Sequence, residues 1–277
     1  MRLALAQFDS MIGEVDANLE RIQEIVAEAN DQKVDLIVFP ELATHGYWLG
    51  QVTDTPSLIS TDARLVGLSE GRADVVIGFH EQARVRSYNA AGYFAGGELI
   101  HVHRKLYLPT YHAWEERKHS SPGQTLRAFD TTHGRAALLI CNDAWQPVLP
   151  WLAAQDGAEL VIVPTNSAES ADPDTLDTIG YWEQLLVSIA RMQQCWLVFV
   201  NRAGTEAGAR FWGGSRVVDP TGAVVAQSPH WEEAVTIIDI DLDAAHRRRR
   251  RVPFLAEARL ALIEREVRRL LEEGGDT

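Results

Sequence analysis

Apolar and polar positions alternate between two periods along this chain. Residues 2–8 form a short apolar run that predicts a strand. Leu19, Ile22, Val26 and Ala29 then recur at steps of three and four, predicting an amphipathic helix that Asp16 caps. The unbroken apolar run 34–39 reads as a fully buried strand, ended by Pro40. A helix over 61–70 precedes a strand over 74–80, and two more strands, at about 84–94 and 98–104, meet at the Gly96-Gly97 turn. The second half repeats this grammar: strand 136–140, helix 146–155, strand 160–163, helix 175–193 and strand 196–200. A hairpin at Asp219-Pro220-Thr221-Gly222, a strand over 235–240 and a helix over 255–273 complete it. Strands interleaved with helices and hairpins predict an α/β fold: a mixed sheet covered by helices, or two such sheets packed together. No linker rich in Pro, Gly or Ser divides the chain, so one domain over 1–277 with a helical tail from about 245 is expected.

Composition narrows the function. With 277 residues, 46% of them hydrophobic, the chain can build a large core without staples. Two cysteines, Cys141 and Cys195, are too few for a disulfide framework, so free thiols are expected. The N-terminus soon reaches acidic and polar residues, unlike a secretory signal, and no segment holds the ~20 apolar residues of a membrane span; the cytoplasm is the expected location, with no membrane partner. A net charge of -13 disfavours nucleic acid. Five consecutive arginines, Arg247 to Arg251, stand against that balance. Pairing with acidic neighbours in a structural or interface role is the expected use of such a run.

Three strand ends carry candidate chemistry. In ALLICNDAW an apolar strand delivers Cys141 to a turn ahead of a helix, where backbone N–H groups favour a thiolate and can serve an oxyanion. Core packing is the competing use of such a thiol. In VDLIVFPEL the first residue past Pro40 is Glu41, placed where desolvation raises a carboxylate's pKa and suits it to general-base work. In HVHRKLYLPTYHAWEERKHSSPG a strand runs into Lys105, a candidate for stabilising negative charge, with Glu115 and Glu116 in the following loop.

Taken together, FPEL around Glu41, HRKLYLPTY around Lys105 and LLICNDAW around Cys141 resemble the nitrilase superfamily, the carbon-nitrogen hydrolases. ALAQFDSMIGEVDANLERI, SYNAAGYFAGGELI and FWGGSRVVDPTGAVVAQS support the likeness, which reaches to about residue 245. The resemblance implies a four-layer α-β-β-α sandwich of two mixed sheets with flanking helices. It implies Glu41 as general base, Lys105 as stabiliser of the tetrahedral intermediate and Cys141 as the nucleophile that forms a thioester. It also implies a second glutamate that positions substrate, aligned best with Glu116, Glu115 being the alternative. The backbone N–H of Asn142 joins Lys105 as an oxyanion donor. Neither metal nor organic cofactor is implied, and assembly as a homodimer or larger homo-oligomer is, with the tail at the subunit contact. The substrate implied is a small linear amide or N-carbamoyl compound that releases ammonia, with nitrile hydrolysis and a glutamine-hydrolysing subunit as alternatives. With the sequence read to Thr277, that last role is expected to need a separate partner chain. A catalytically silent binding or scaffold member is the non-enzyme alternative. His112 and Lys118-His119-Ser120 depart from the commoner pattern, which leaves the pocket open.

Tyr47, Tyr111, Trp114, Trp145 and Trp212 are candidates for an apolar pocket wall or for core packing, and Asn166 and Asn142 for polar contacts to substrate. His101 and His103 share one face of a strand, but no third ligand accompanies them. Cys195 reads as core.

Overall fold

Strand β1 (Arg2–Gln7) has no polar face: Leu3 and Leu5 point one way, Ala4 and Ala6 the other, and all four are buried. Side chains alternate along a strand, so such a segment must be covered on both sides. In the computed structural model, which describes residues 1–47, 50, 56–110 and 115–274, both covers are supplied. The first half runs β1, α1 (Val15–Asp31), β2 (Leu36–Val38), α2 (Ala63–Gly67), β3 (Asp74–Ala83), β4 (Arg86–Ala95) and β5 (Glu98–Arg104). The second runs β6 (Phe129–Thr131), β7 (Gly134–Leu138), α3 (Val148–Gln155), β8 (Leu160–Thr165), α4 (Thr178–Gln193) and β9 (Trp196–Asn201). There follow the hairpin β10 (Ala203–Glu206) and β11 (Ala209–Trp212), then β12 (Arg216–Val218), β13 (Val224–Gln227), β14 (Ala234–Asp239), α5 (Asp243–Arg251) and α6 (Leu260–Glu272).

Two six-stranded mixed sheets result, ordered β14-β1-β2-β3-β4-β5 and β13-β12-β9-β8-β7-β6. Each has a parallel trio, β1-β2-β3 or β7-β8-β9, flanked by antiparallel strands. Leu3, Leu5, Leu36 and Val38 meet Leu138, Ile140, Ile162 and Val198 between the sheets. The opposite faces bury Ala4, Ile37 and Val75 under α1 and α2, and Val161, Val163 and Phe199 under α3 and α4. This is the four-layer α-β-β-α sandwich.

Several local expectations change. Asp16 is not the cap of α1: the helix starts at Val15 and Asp16 lies in its first turn, where a carboxylate complements the helix dipole, paired with Arg64 at 2.6 Å. The helix expected over 255–273 is α6, which starts later, at Leu260, and a second helix that was not separately expected, α5, precedes it across the segment around Pro253. The β10–β11 hairpin and the short β6 carry too little periodicity to be read beforehand. The arginine run is α5 itself. Arg249 turns inward and donates to the carbonyls of Ala158 (2.5 Å), Gln194 (3.2 Å) and Gln193 (3.3 Å), while Arg247 pairs with Asp241 (2.5 Å). Arg249 is thus structural, Arg247 is held only in an exposed ion pair, and the run is not one free basic patch. Among the described residues no helix is long and apolar enough to cross a membrane.

Candidate functional site

Glu41, Cys141 and Asn166 leave the carboxyl ends of β2, β7 and β8, the end at which open parallel sheets commonly bind ligands. Lys105 follows β5 and enters from the same sheet as Glu41. The Glu41 turn stays tied to β3: Phe39 N–H donates to the carbonyl of Val76, and Gly78 N–H to that of Pro40. Gly78 is required there, since a Cβ would lie 2.4 Å from the Leu42 nitrogen and 2.5 Å from the Pro40 oxygen. Cys141 opens a single 3-10 turn, Cys141–Trp145, with φ of 46°, a left-handed backbone that a side chain seldom adopts.

The charged groups meet in a fully buried cluster. Lys105 Nζ donates to Glu41 Oε1 at 2.7 Å and to Glu116 Oε1 at 2.6 Å. Glu41 also accepts from Asn89 Nδ2 (2.6 Å) and, on Oε2, from the Asn166 backbone N–H (2.7 Å). The Tyr47 hydroxyl donates to Glu116 Oε1. The structure thereby separates the two loop glutamates. Glu116 faces Lys105, whereas Glu115 is exposed and pairs with Lys118.

Two carboxylates share one cation, and the titrations follow from that. Burial, only partly countered by Lys105 and reinforced by the Glu41 charge, pushes Glu116 up to about 7. Burial works against the Lys105 ammonium, but Glu116 and Glu41 outweigh it and hold the lysine protonated. Burial and the Glu41 carboxylate together push the Cys141 thiol well above its usual range, despite Lys105 and the Asn166 N–H. The backbone donor does favour a thiolate, as expected, but burial first and the Glu41 and Glu116 carboxylates after it outweigh that donor and Lys105, so the thiol is the favoured resting form.

Cys141 opens onto a cavity of about 440 Å³. Tyr47, Asn142, Trp145 and Asn166 line it, with Trp145 stacked on Tyr181. Trp212 does not line it. It is fully buried in the core between sheet and α4, and its Nε1 donates to Ser167 Oγ. Tyr111 and Trp114 lie outside the described residues, as does His112. Cys195 is buried in the same core, as expected. Of the two strand histidines, His101 stacks on Phe129 and His103 donates to Asp143. Among the described residues no cluster of three or more His, Cys, Asp or Glu is arranged for a metal.

The family model for carbon-nitrogen hydrolases matches residues 2–250. The chain belongs to the carbon-nitrogen hydrolase family. A probable nitrilase from Schizosaccharomyces pombe is 30% identical over 256 residues, covering 88% of this chain and 89% of its own. A glutamine-dependent NAD(+) synthetase from Acinetobacter baylyi is 28% identical over 245 residues, and this chain spans only 44% of its length. The solved amidase from Nesterenkonia sp. superposes with a TM-score of 0.79 at 26% identity, covering 96% of this chain and 99% of that one.

Two supports of the carbon-nitrogen hydrolase site went unread in the sequence. Asp143, fully buried, accepts from the N–H groups of Leu106 and Tyr107 (2.9 Å each), Ile140 (3.1 Å) and the His103 ring (2.9 Å). It pins the segment after Lys105 to the turn that carries Cys141. Arg202, also buried, binds Asp9 and Glu206 Oε2, and Glu206 Oε1 accepts the Tyr47 N–H at 2.9 Å. That chain fixes Tyr47 against Glu116. An Asp two residues past a nucleophile, or an Arg after a core strand, has no periodicity that marks it; only adjacency to Cys141 hinted at the first.

Proposed function

We propose that this carbon-nitrogen hydrolase cleaves the carboxamide or carbamoyl bond of a small linear substrate and releases ammonia through a thioester on Cys141. The observation that carries this reading is the buried Lys105 ammonium held between Glu41 and Glu116 beside a thiol that opens onto the cavity. Because the thiol rests protonated, attack requires a base, and Glu41 takes the proton as Cys141 Sγ adds to the carbonyl carbon. Negative charge on the former carbonyl oxygen is met by Lys105 Nζ and the Asn142 backbone N–H. Glu41 returns the proton to the nitrogen, ammonia departs, and the acyl group remains on sulfur. Glu41 then deprotonates a water that attacks the thioester, and the acid leaves as the thiol is restored. Glu116 keeps Oε2 buried and unpartnered among the described residues, an acceptor suited to a substrate N–H. The amidase and N-carbamoylputrescine amidase likenesses support amide and carbamoyl substrates, and the probable nitrilase keeps nitrile hydrolysis as an alternative. Glutamine hydrolysis for a synthetase is the second reading, favoured by the synthetase relatives.

Ammonia release across short amides, ω-amides, N-carbamoyl compounds and nitriles, with Cys141→Ala as control, tests the reading. Turnover surviving in the control would sink the thioester. A silent scaffold member would instead show no preference of iodoacetamide for Cys141 over Cys195.

For the assembly we propose a homodimer. On α6, Leu260, Ile263, Val267, Leu270 and Leu271 leave an apolar stripe exposed. Its Arg268 and Arg269 are paired to glutamates of the same helix, so the stripe's flanks carry little charge to offer a charged partner. Ile263→Glu with Val267→Glu is expected to yield monomers by size-exclusion chromatography; an unchanged assembly refutes it.

A further inference from the structure

Asn166 holds a position that the reaction alone does not explain. Its backbone N–H serves Glu41 Oε2 at 2.7 Å and also favours negative charge on Cys141. Its side chain does neither. The residue is 3% exposed, it lines the cavity at Cys141, and both Oδ1 and Nδ2 are buried without a partner among the described residues. The neighbouring polar groups are already engaged. Ser167 Oγ accepts from both Trp182 Nε1 and Trp212 Nε1 at 3.0 Å, and Ser167 N–H donates to Asn201 Oδ1 at 2.8 Å. Among the described residues no group pairs with the carboxamide, and a buried donor and acceptor left open disfavour the fold unless something else uses them.

One ligand group can satisfy both atoms at once. A second carboxamide presents an N–H and a C=O side by side, so it meets Oδ1 and Nδ2 in a planar pair of hydrogen bonds. The scissile group has partners of its own in Lys105, the Asn142 N–H and Glu116. The cavity's roughly 440 Å³ leaves room for more than that group. We infer that Asn166 is a specificity-determining residue, selecting acyl chains that carry a second carboxamide-like donor–acceptor group a short spacer from the bond cleaved. This deepens the proposed amide hydrolysis and rests on it.

The probes are succinamide and 4-methylpentanamide, which share size and branching but differ in that only succinamide carries the second polar group. Wild-type kcat/KM is expected to favour succinamide by roughly 30-fold or more, since the apolar chain leaves both Asn166 atoms unpaired. Asn166→Leu, close in shape and with the backbone N–H intact, is expected to bring that ratio below about threefold. A wild type that does not discriminate, or a variant that loses both substrates equally, overturns the inference. Calorimetric binding to Cys141→Ala, with and without Asn166→Leu, separates this from the hydrolase reading. Tighter binding of succinamide that depends on Asn166 supports the residue's role even if neither amide is turned over, and equal binding of the two amides overturns it. Failure of wild type to release ammonia from either amide counts only against the reaction.

Discussion

Removing the Asp143 carboxylate is expected to damage the fold and the site together. Alanine leaves four donors without their acceptor: the N–H groups of Leu106, Tyr107 and Ile140, and the His103 ring. At about 1–3 kcal/mol for each buried donor, with Leu106 and Tyr107 partly rehydrated, the loss is on the order of 4–8 kcal/mol. That is a large share of the roughly 5–15 kcal/mol by which a domain is stable. Asparagine behaves differently. Its Oδ1 keeps Leu106 and Tyr107, the imidazole can switch tautomer to accept from Nδ2, and only the Ile140 N–H stays unmet. Asp143→Asn should therefore lose about 1–3 kcal/mol, a fall in Tm of roughly 2–12 °C at about 2–4 °C per kcal/mol. Because Asp143 sets the Lys105 segment against Cys141, kcat/KM of the folded Asn variant should fall about 10- to 100-fold. Thermal unfolding followed by circular dichroism, with ammonia release assayed well below Tm, measures both. Asp143→Ala lying within about 1 kcal/mol of wild type, or Asn falling as far as Ala, would falsify the reasoning.

Lys105→Met leaves Glu41 and Glu116 facing each other and removes an oxyanion donor, so ammonia release should drop by at least about 10²- to 10³-fold, and Lys105→Arg, whose planar fork cannot reproduce the site, should not restore it. Glu116 titrates near 7 in the fold against 4.5 when free, so the native state holds its proton longer than the unfolded chain. The stability this confers is full below about 4.5 and lost as pH rises through about 7. Urea unfolding at pH 5 and pH 8 should show wild type losing stability relative to Glu116→Gln, and the reverse slope would contradict the assignment. Arg249→Ala abandons three backbone carbonyls and should destabilise by about 1–3 kcal/mol, whereas Arg247→Ala, exposed, should stay within about 0.5 kcal/mol; equal effects in denaturant melts would refute the division of the arginine run.

What the sequence determined on its own was the order of strands and helices and the three strand-end segments. Runs such as 34–39 and 196–200 announce strands buried on both faces, and Leu19, Ile22, Val26 and Ala29 announce a covering helix, because burial periodicity is local. The Glu41, Lys105 and Cys141 motifs were legible for the same reason: each is a strand followed at once by its chemical group. Tertiary structure decided everything that depends on which group faces which. It sent Glu116, not Glu115, to Lys105, turned Arg249 inward, and buried Trp212 away from the cavity. It made Asp143 the clasp between two segments about 40 positions apart. It also decided the state of Cys141, since a thiol's charge is set by its burial and by neighbours brought from three strand ends and the Glu116 turn, which no stretch of sequence around Cys141 contains.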